Sequence, residues 1–320
     1  MVDGLLFWLL LQIAAPDVQL STNALPDAAI RQIELLQAEK AARTPQQHKV
    51  DSRVAYEARR RAGRGVAQGL ALRAQDLDID AAERVLVDIT YDVTAAVRDA
   101  ITAGGGVIVD DIPEFRSMRA KVPFVLIEQL AELPGIQRIA PAEEPIVRNI
   151  ATSAKVNTSQ GDVAHRVVMA RGLGASGAGV GVGVISDGVG SLAVRQSAGD
   201  LPAGVTVLSG QAGSGDEGTA MLEIVHDLAP GAPLLFATAI GGEARFASNI
   251  LSLCNAGAKV IVDDIGYVSE AVFEDGVIAQ AVNSVTANGC HYFSAAGNDG
   301  NRNDGRSGVW EGDFTFGQST

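Results

Sequence analysis

The stretch Gly177-Ala-Gly-Val-Gly-Val-Gly-Val-Ile-Ser-Asp-Gly-Val189 decides how this chain folds. Its apolar part, Val180 to Ser186, is a short run bounded by glycine and closed by the carboxylate Asp187. Such a run, with no regular polar alternation, predicts a strand covered on both faces. The same pattern recurs downstream. Strands are predicted at Val205 to Leu208, Leu234 to Thr238, Val260 to Asp264 and His291 to Ala295. Helical signals mark Glu217 to Leu228, Ala244 to Ala256 and Gly276 to Ala287. Buried strands alternating with helices predict an α/β fold, a doubly wound parallel sheet, over residues 160–320. Ahead of the first strand, Gly172-Leu-Gly174-Ala-Ser-Gly177 has the spacing of a dinucleotide loop. A helical segment, Val163 to Ala170, precedes those glycines and a strand follows. That is the reverse of the order that sets a helix N-terminus on a pyrophosphate, so the glycines read as a tight turn.

Upstream, Val85-Leu-Val-Asp-Ile-Thr-Tyr91 alternates as a strand, and Val93 to Ala103 reads as a helix stopped by Gly104-Gly-Gly106. Strands at Val107 to Val109, Ser117 to Val122 and Ile136 to Ile139 accompany a second helix, Phe124 to Leu133, broken by Pro134-Gly135. The order βαββαβ over 82–149 is that of a ferredoxin-like α+β domain. A linker, Asn149 to Gln160, follows it. Residues 16–80 read as a polar helical region, with Ile30, Ile33, Leu36 and Ala41 at helical spacing and Asp27 able to cap the start. Arg59, Arg60, Arg61 and Arg64 read as a solvated helix end, with a proteolytic processing site as the alternative.

Leu5 to Ala15 is an apolar run of signal-peptide size, so residues 1–15 read as a signal segment. A spanning helix needs about twenty apolar residues, and Asp17 and Gln19 come too soon. The region before the run carries Asp3 and no Lys or Arg, which fits a buried helix instead. The expectation is a secreted or cell-envelope protein that is soluble after processing, with no membrane partner. A net charge of −13 argues against a nucleic-acid partner. Two cysteines exclude a disulfide scaffold and a Cys-rich zinc module. Cys254 and Cys290 read as two small buried thiols, with a disulfide as the alternative. No cluster has zinc or EF-hand spacing.

In a doubly wound sheet, ligands gather at the carboxyl ends of the strands. Asp187, Glu217, Asp263, Asp264 and Asn298 all fall there. Glu217 opens a helix in Gly215-Asp-Glu-Gly-Thr-Ala-Met221, with Asp216 placed as its N-cap. Asn298 closes Ser294-Ala-Ala-Gly-Asn298. Taken singly, these are a turn aspartate, a first-turn helix acid and a turn asparagine. His226, nine residues past Glu217, is out of phase with it on the helix. His48 and His165 are isolated, and His291 starts a strand at the end away from the site.

Three blocks, in order, resemble the catalytic domain of the subtilisin-like serine peptidases. They are the stretch 177–189 with Asp187, the segment Ala229-Pro-Gly-Ala232 and the block 294–298. The resemblance covers about residues 160–320 and implies an endopeptidase working through an acyl-enzyme on protein or peptide substrates. It implies that Asp187 is the catalytic aspartate and that Asn298 donates to the oxyanion; Asp263 and Asp264, from their strand-end position alone, read as candidate site or substrate-cleft residues. The family's base is a His in His-Gly-Thr, but here Glu217-Gly-Thr219 stands in its place. A Glu there is similar to the acid-acting sedolisins. Their second helix acid would fall at Met221 and is absent, and Asn298 stands where they use an Asp. The family nucleophile, a Ser in Gly-Thr-Ser, is absent through Thr320, and Ser319 lacks that context. The expectation is a catalytic domain truncated before its nucleophile and, by itself, inactive. Segment 82–149 likewise resembles the family's propeptide, an intramolecular inhibitor and folding aid, with 16–80 a pro-region. No cofactor is assignable; a structural calcium is implied only by the resemblance.

The chemistry asked of Glu217 is that of a general base and acid. Asp187 beside it would raise its pKa and let the pair share a proton, while the helix N-terminus favours the ionised form. The alternative function is a non-catalytic, subtilase-like peptide-binding domain.

Overall fold

The computed structural model describes residues 27–65, 73–92, 94–147, 161–270, 274–298, 303 and 305. The signal-like run Leu5 to Ala15, the linker Asn149 to Gln160 and Ser319 lie outside them.

The first part of the chain runs α1 (Asp27–Ala41), α2 (Pro45–His48), α3 (Ser52–Arg61), β1 (Arg84–Tyr91), α4 (Thr94–Ala103), β2 (Val107–Ile112), β3 (Ser117–Pro123), α5 (Phe124–Glu132) and β4 (Ile136–Pro141). The sheet has the order β2-β3-β1-β4 with antiparallel neighbours, which is the split βαβ arrangement. Period-two alternation sends Val85, Val87, Ile89 and Tyr91 of β1 into one core. Val97 and Ile101 of α4 and Ile127 and Leu130 of α5 close it.

The upstream helices pack unequally, and one expectation there is corrected. The apolar positions of α1 bury nothing: Ile30 and Ile33 are 42% and 43% exposed. It is Val54 and Ala58 of α3, with Val50, that join the core, and Val50 bridges Ile139. The arginine cluster is paired, not merely solvated. Arg59 donates to Glu39 at 2.6 Å, Arg60 and Arg61 both donate to the buried Glu57, and Arg64 reaches Glu128 at 3.3 Å. Lone carboxylates are not buried cheaply, so Glu57 draws two guanidinium groups to its side.

The second part runs β5 (Ile146–Val147), α6 (Gly161–Ala164), α7 (Val167–Gly172), β6 (Gly181–Ser186), α8 (Leu192–Ala198), β7 (Thr206–Val207), α9 (Glu217–Leu228), β8 (Leu234–Thr238), α10 (Glu243–Asn255), β9 (Ala258–Asp263), β10 (Ile265–Gly266), α11 (Val277–Ala287) and β11 (His291–Ser294). Among the described residues the main sheet has the order β11-β9-β6-β8-β7, all neighbours parallel. Every residue of β6 is buried. Ile185 faces α10 and α11, while Val182 and Val184 face Leu222 of α9 and Leu192 at the start of α8. Helices therefore cover both faces, and the doubly wound α/β class expected from the sequence is the fold observed. The helix α7 precedes the glycines 172–177 and β6 follows them, so no dinucleotide loop forms.

The two cysteines are not thiols. Cys254 at the end of α10 and Cys290 before β11 form a disulfide with Cα atoms 6.3 Å apart. Residues too far apart in sequence for a local signal become neighbours because α10 and β11 both abut β9.

The two parts touch along one side. Strand β5 pairs antiparallel with β10, Val147 opposite Ile265 and Ile146 opposite Gly266. Arg245 of α10 pairs with Asp110 of β2, and the Ser269 N–H donates to Glu143 at 3.2 Å.

Candidate active site

The sheet order places the reversal of winding between β6, the first strand of its layer, and β9, the fourth. That switch point opens a crevice at the carboxyl ends of both strands. Asp187 follows β6 directly, and Asp263 ends β9, paired with Ile185 on one side and Ser294 on the other. Both aspartates are buried, at 3% and 4% exposure.

Asp187 is built into the start of α9. Its Oδ1 accepts from the N–H groups of Gly188 at 2.5 Å and Gly218 at 3.2 Å, and its Oδ2 accepts from Asp216 N–H at 3.2 Å. The first N–H groups of a helix have no partner within it, and Asp187 supplies one from a neighbouring strand. Asp216 does not cap α9 with its side chain, contrary to the expectation. Its carboxylate accepts from the Ser191 N–H at 2.8 Å instead. Burial pushes the Asp216 carboxyl up, but hydrogen bonds from Ser191 and Thr219 outweigh it and hold it below the usual range.

Glu217 is 3% exposed, and its Oε2 accepts from Ser186 Oγ at 2.9 Å. The carboxylate of Glu217 is thus anchored to the residue before Asp187, and the N–H of Gly218 after it is anchored to Asp187 itself. Two glycines make this packing feasible. A Cβ on Gly218 would run into the Phe236 ring, and one on Gly215, whose φ is +126°, would overlap the Asp187 carboxylate. Thr238, at the end of β8, donates from Oγ1 to the Asp187 carbonyl at 2.7 Å and ties the loop to the next strand.

On the other side of the switch point, Asp263 Oδ1 accepts from Ile265 N–H at 3.1 Å and Ser294 Oγ at 3.0 Å. Burial pushes its pKa up. Asp264 falls just after β9 and is half-buried. Asn298 lies four residues past the end of β11 and is exposed. The ladder continues one residue beyond that strand, with Ala295 N–H donating to Asp263 carbonyl at 3.1 Å. His226 sits nine residues along α9 from Glu217, about 13.5 Å at the usual helical rise.

Asp187 and Asp263 thus stand at the ends of the paired strands β6 and β9, Glu217 opens α9 beside them, Asp264 follows β9, and Asn298 lies past β11. Ser186, Thr238 and Ser294 were missed by sequence reading. Each is a hydroxyl closing an apolar strand, which is a readable signal, but its partner comes from another strand or helix. Among the described residues, no group of three or more His, Cys, Asp or Glu side chains is placed to hold a metal ion.

No family model matches the chain, and no curated protein matches it. Among solved structures it is similar to the epidermin leader peptide processing serine protease EpiP from Staphylococcus aureus, at 16% identity and a TM-score of 0.46. That match covers 67% of this chain and 60% of EpiP. A Ser-to-Ala mutant of the same protease matches at 18% identity and a TM-score of 0.47, over 68% of this chain and 62% of the mutant. Fervidolysin from Fervidobacterium pennivorans, a keratinolytic enzyme related to subtilisin, matches at 16% identity and a TM-score of 0.43, over 70% of this chain and 41% of its own.

Proposed function

We propose that this chain belongs to a subtilisin-like serine endopeptidase precursor, in which a Glu/Asp carboxylate pair replaces the family's His-Asp pair. The observation that carries this reading is the meeting of Asp187 and Glu217 at the start of α9, beside the switch point, in the order of the family's sequence blocks. Glu217 takes the proton of the nucleophile and returns it to the leaving amine; Asp187 orients the helix start that carries it. Ser186 holds Glu217 in place. Asn298 donates to the developing oxyanion. The nucleophile of this reading is a Ser in a Gly-Thr-Ser segment, a motif that the 320 residues do not contain.

The part spanning 82–149 is the propeptide of this precursor. The pairing of β5 with β10 supports that role, because it lays the end of this part along the edge where the candidate residues stand. The disulfide supports export to an oxidising compartment. Among the described residues, no helix is long and apolar enough to cross a membrane.

A gene product that carries this chain together with a Gly-Thr-Ser segment should form an acyl-enzyme-like adduct with a serine-directed phosphonate at some pH between 3 and 9. Absence of labelling across that range would sink the enzyme reading. The second reading, a non-catalytic peptide-binding domain, is favoured by the burial of Glu217 where the family has His. A complete protein that binds peptides without cleaving them would establish it. If Glu217→Gln leaves peptidase activity unchanged, the carboxylate is not the base.

A further inference from the structure

The carboxylates of Asp187 and Glu217 are held by different kinds of donor. Asp187 accepts from the backbone N–H groups of Gly188, Asp216 and Gly218. Glu217 accepts from a side chain, the Ser186 hydroxyl, whose Oγ lies 2.9 Å from Glu217 Oε2. Ser186 ends β6 and is 0% exposed, so its hydroxyl is out of reach of a substrate carbonyl. It is no nucleophile, and the group it acts on is Glu217. The strands under α9, β6 and β8, carry no ionisable side chain. Asp187 and Asp216 are the acids beside Glu217 at the helix start. Further along α9, Glu223 pairs with Arg195 of α8 at 3.0 Å. Asp162 of α6 pairs with Arg171 of α7, which also donates to the Asp227 and Leu228 carbonyls at the far end of α9, where His226 lies.

We propose that Ser186, and not Asp187, is the positioning residue of Glu217: its hydroxyl orients the carboxylate and favours the ionised form that can take a proton. Glu217 as the base is the peptidase reading above, on which this role of Ser186 rests. The physical reason lies in the charge of the base. In a Ser-His-Asp arrangement the imidazole becomes cationic as it takes the proton, and an aspartate stabilises that cation. A glutamate base starts anionic and ends neutral. A second carboxylate aimed at it disfavours the ionised form, whereas a neutral O–H donor favours it. The chain makes the matching exchange, since its acidic base has a hydroxyl for a side-chain partner. Asp187 acts one step further out, through the Gly218 N–H at the start of α9. Its negative charge works on Glu217 in the opposite sense to the Ser186 hydroxyl.

The test uses the 320-residue chain and needs no turnover. With glutamate carboxyl carbons labelled for NMR, the Glu217 resonance is the one missing from Glu217→Gln, and its shift is followed against pH. Ser186→Ala should move the Glu217 midpoint upward by about one pH unit, because a hydrogen bond to the ionised form is lost. Ser186→Thr keeps the hydroxyl and should stay near the native midpoint. Asp187→Asn removes a like charge and should move it downward. A merely structural Ser186 would lower the urea midpoint and leave the titration where it is; that result overturns the proposal. An upward shift in Asp187→Asn with none in Ser186→Ala overturns it too, and gives the role to Asp187. If Ser186→Ala does not fold, Ser186→Cys, similar in shape and a weaker donor, decides: an upward shift supports the proposal and an unmoved midpoint overturns it. In a gene product that carries a Gly-Thr-Ser segment, Ser186→Ala should lower kcat about tenfold with little change in KM. A shifted midpoint without phosphonate labelling of that product leaves the pairing of Ser186 with Glu217 standing and removes the peptidase reading. Labelling with an unmoved midpoint does the reverse.

Discussion

At the scale of single residues, the candidate site is an arrangement for burying carboxylates. Asp187 is tolerated at 3% exposure because three backbone N–H groups converge on it, two of them from the start of α9. Gly215 makes that convergence sterically feasible. Gly215→Ala would force a side chain into a positive φ and against the Asp187 carboxylate, and should cost about 1–3 kcal/mol, read as a lower urea midpoint. In a complete enzyme, Asn298→Ala should lower kcat by about 10²–10³ with little change in KM. A KM effect of the same size would assign Asn298 to substrate binding instead. The acids themselves were legible from the sequence, because each ends a strand or opens a helix. Ser186 and Thr238 were not, because a hydroxyl at a strand end acquires meaning only from the atom it meets. Here those atoms come from residues 31 and 51 positions away.

At the scale of elements, ion pairs settle how neighbouring pieces dock. Arg119 of β3 is 5% exposed, with Nε and Nη2 on Asp88 of β1 at 2.8 and 2.9 Å and Nη1 on Glu144 at 2.7 Å. Truncating Asp88 removes two of the guanidinium's carboxylate bonds but leaves it Glu144 and the Glu143 carbonyl. Asp88→Ala should therefore cost about 1–3 kcal/mol in urea unfolding, whereas an apolar replacement of the whole cluster should cost less. The disulfide acts on elements too, closing a separation of 36 residues between α10 and β11. Removing it with Cys254→Ala and Cys290→Ala together should cost about 3–4 kcal/mol on the chain-entropy estimate, and reduction should lower Tm comparably. Neither feature was visible in periodicity. The apolar positions of α1 stay half exposed, while α3, the more amphipathic of the two, supplies Val54 and Ala58 to the core. The reason is that α3 is tethered beside β4 by the backbone bonds of Lys49 and Asp51 to Ile139, and α1 is not.

At the scale of the molecule, acid should loosen the first part. Burial pushes Glu39 up, but hydrogen bonds from Arg43, Arg59 and Tyr56 outweigh it and hold its carboxyl at about 2, below the ordinary 4.5. Hydrogen bonds from Arg60 and then Arg61 hold Glu57 at about 2 as well, against its burial. A folded-state pKa below the unfolded one gives stability that is present above about pH 4.5 and lost as pH falls toward 2. The stability gap between the native chain and Glu57→Gln should accordingly shrink across that window; a constant gap would refute the linkage. For the chain as a whole, the sequence alone determined the alternation of strands and helices, the split βαβ order, the doubly wound class and the strand-end acids. Those follow from local periodicity and from chain breakers, which act over a few residues. Only the tertiary structure decided the disulfide, the pairing of the arginine cluster, the seating of β5 on β10, the helix-start anchoring of Asp187 and the meeting of Ser186 with Glu217. All of these join groups distant in sequence, and their energies depend on which surfaces packing brings within hydrogen-bond reach.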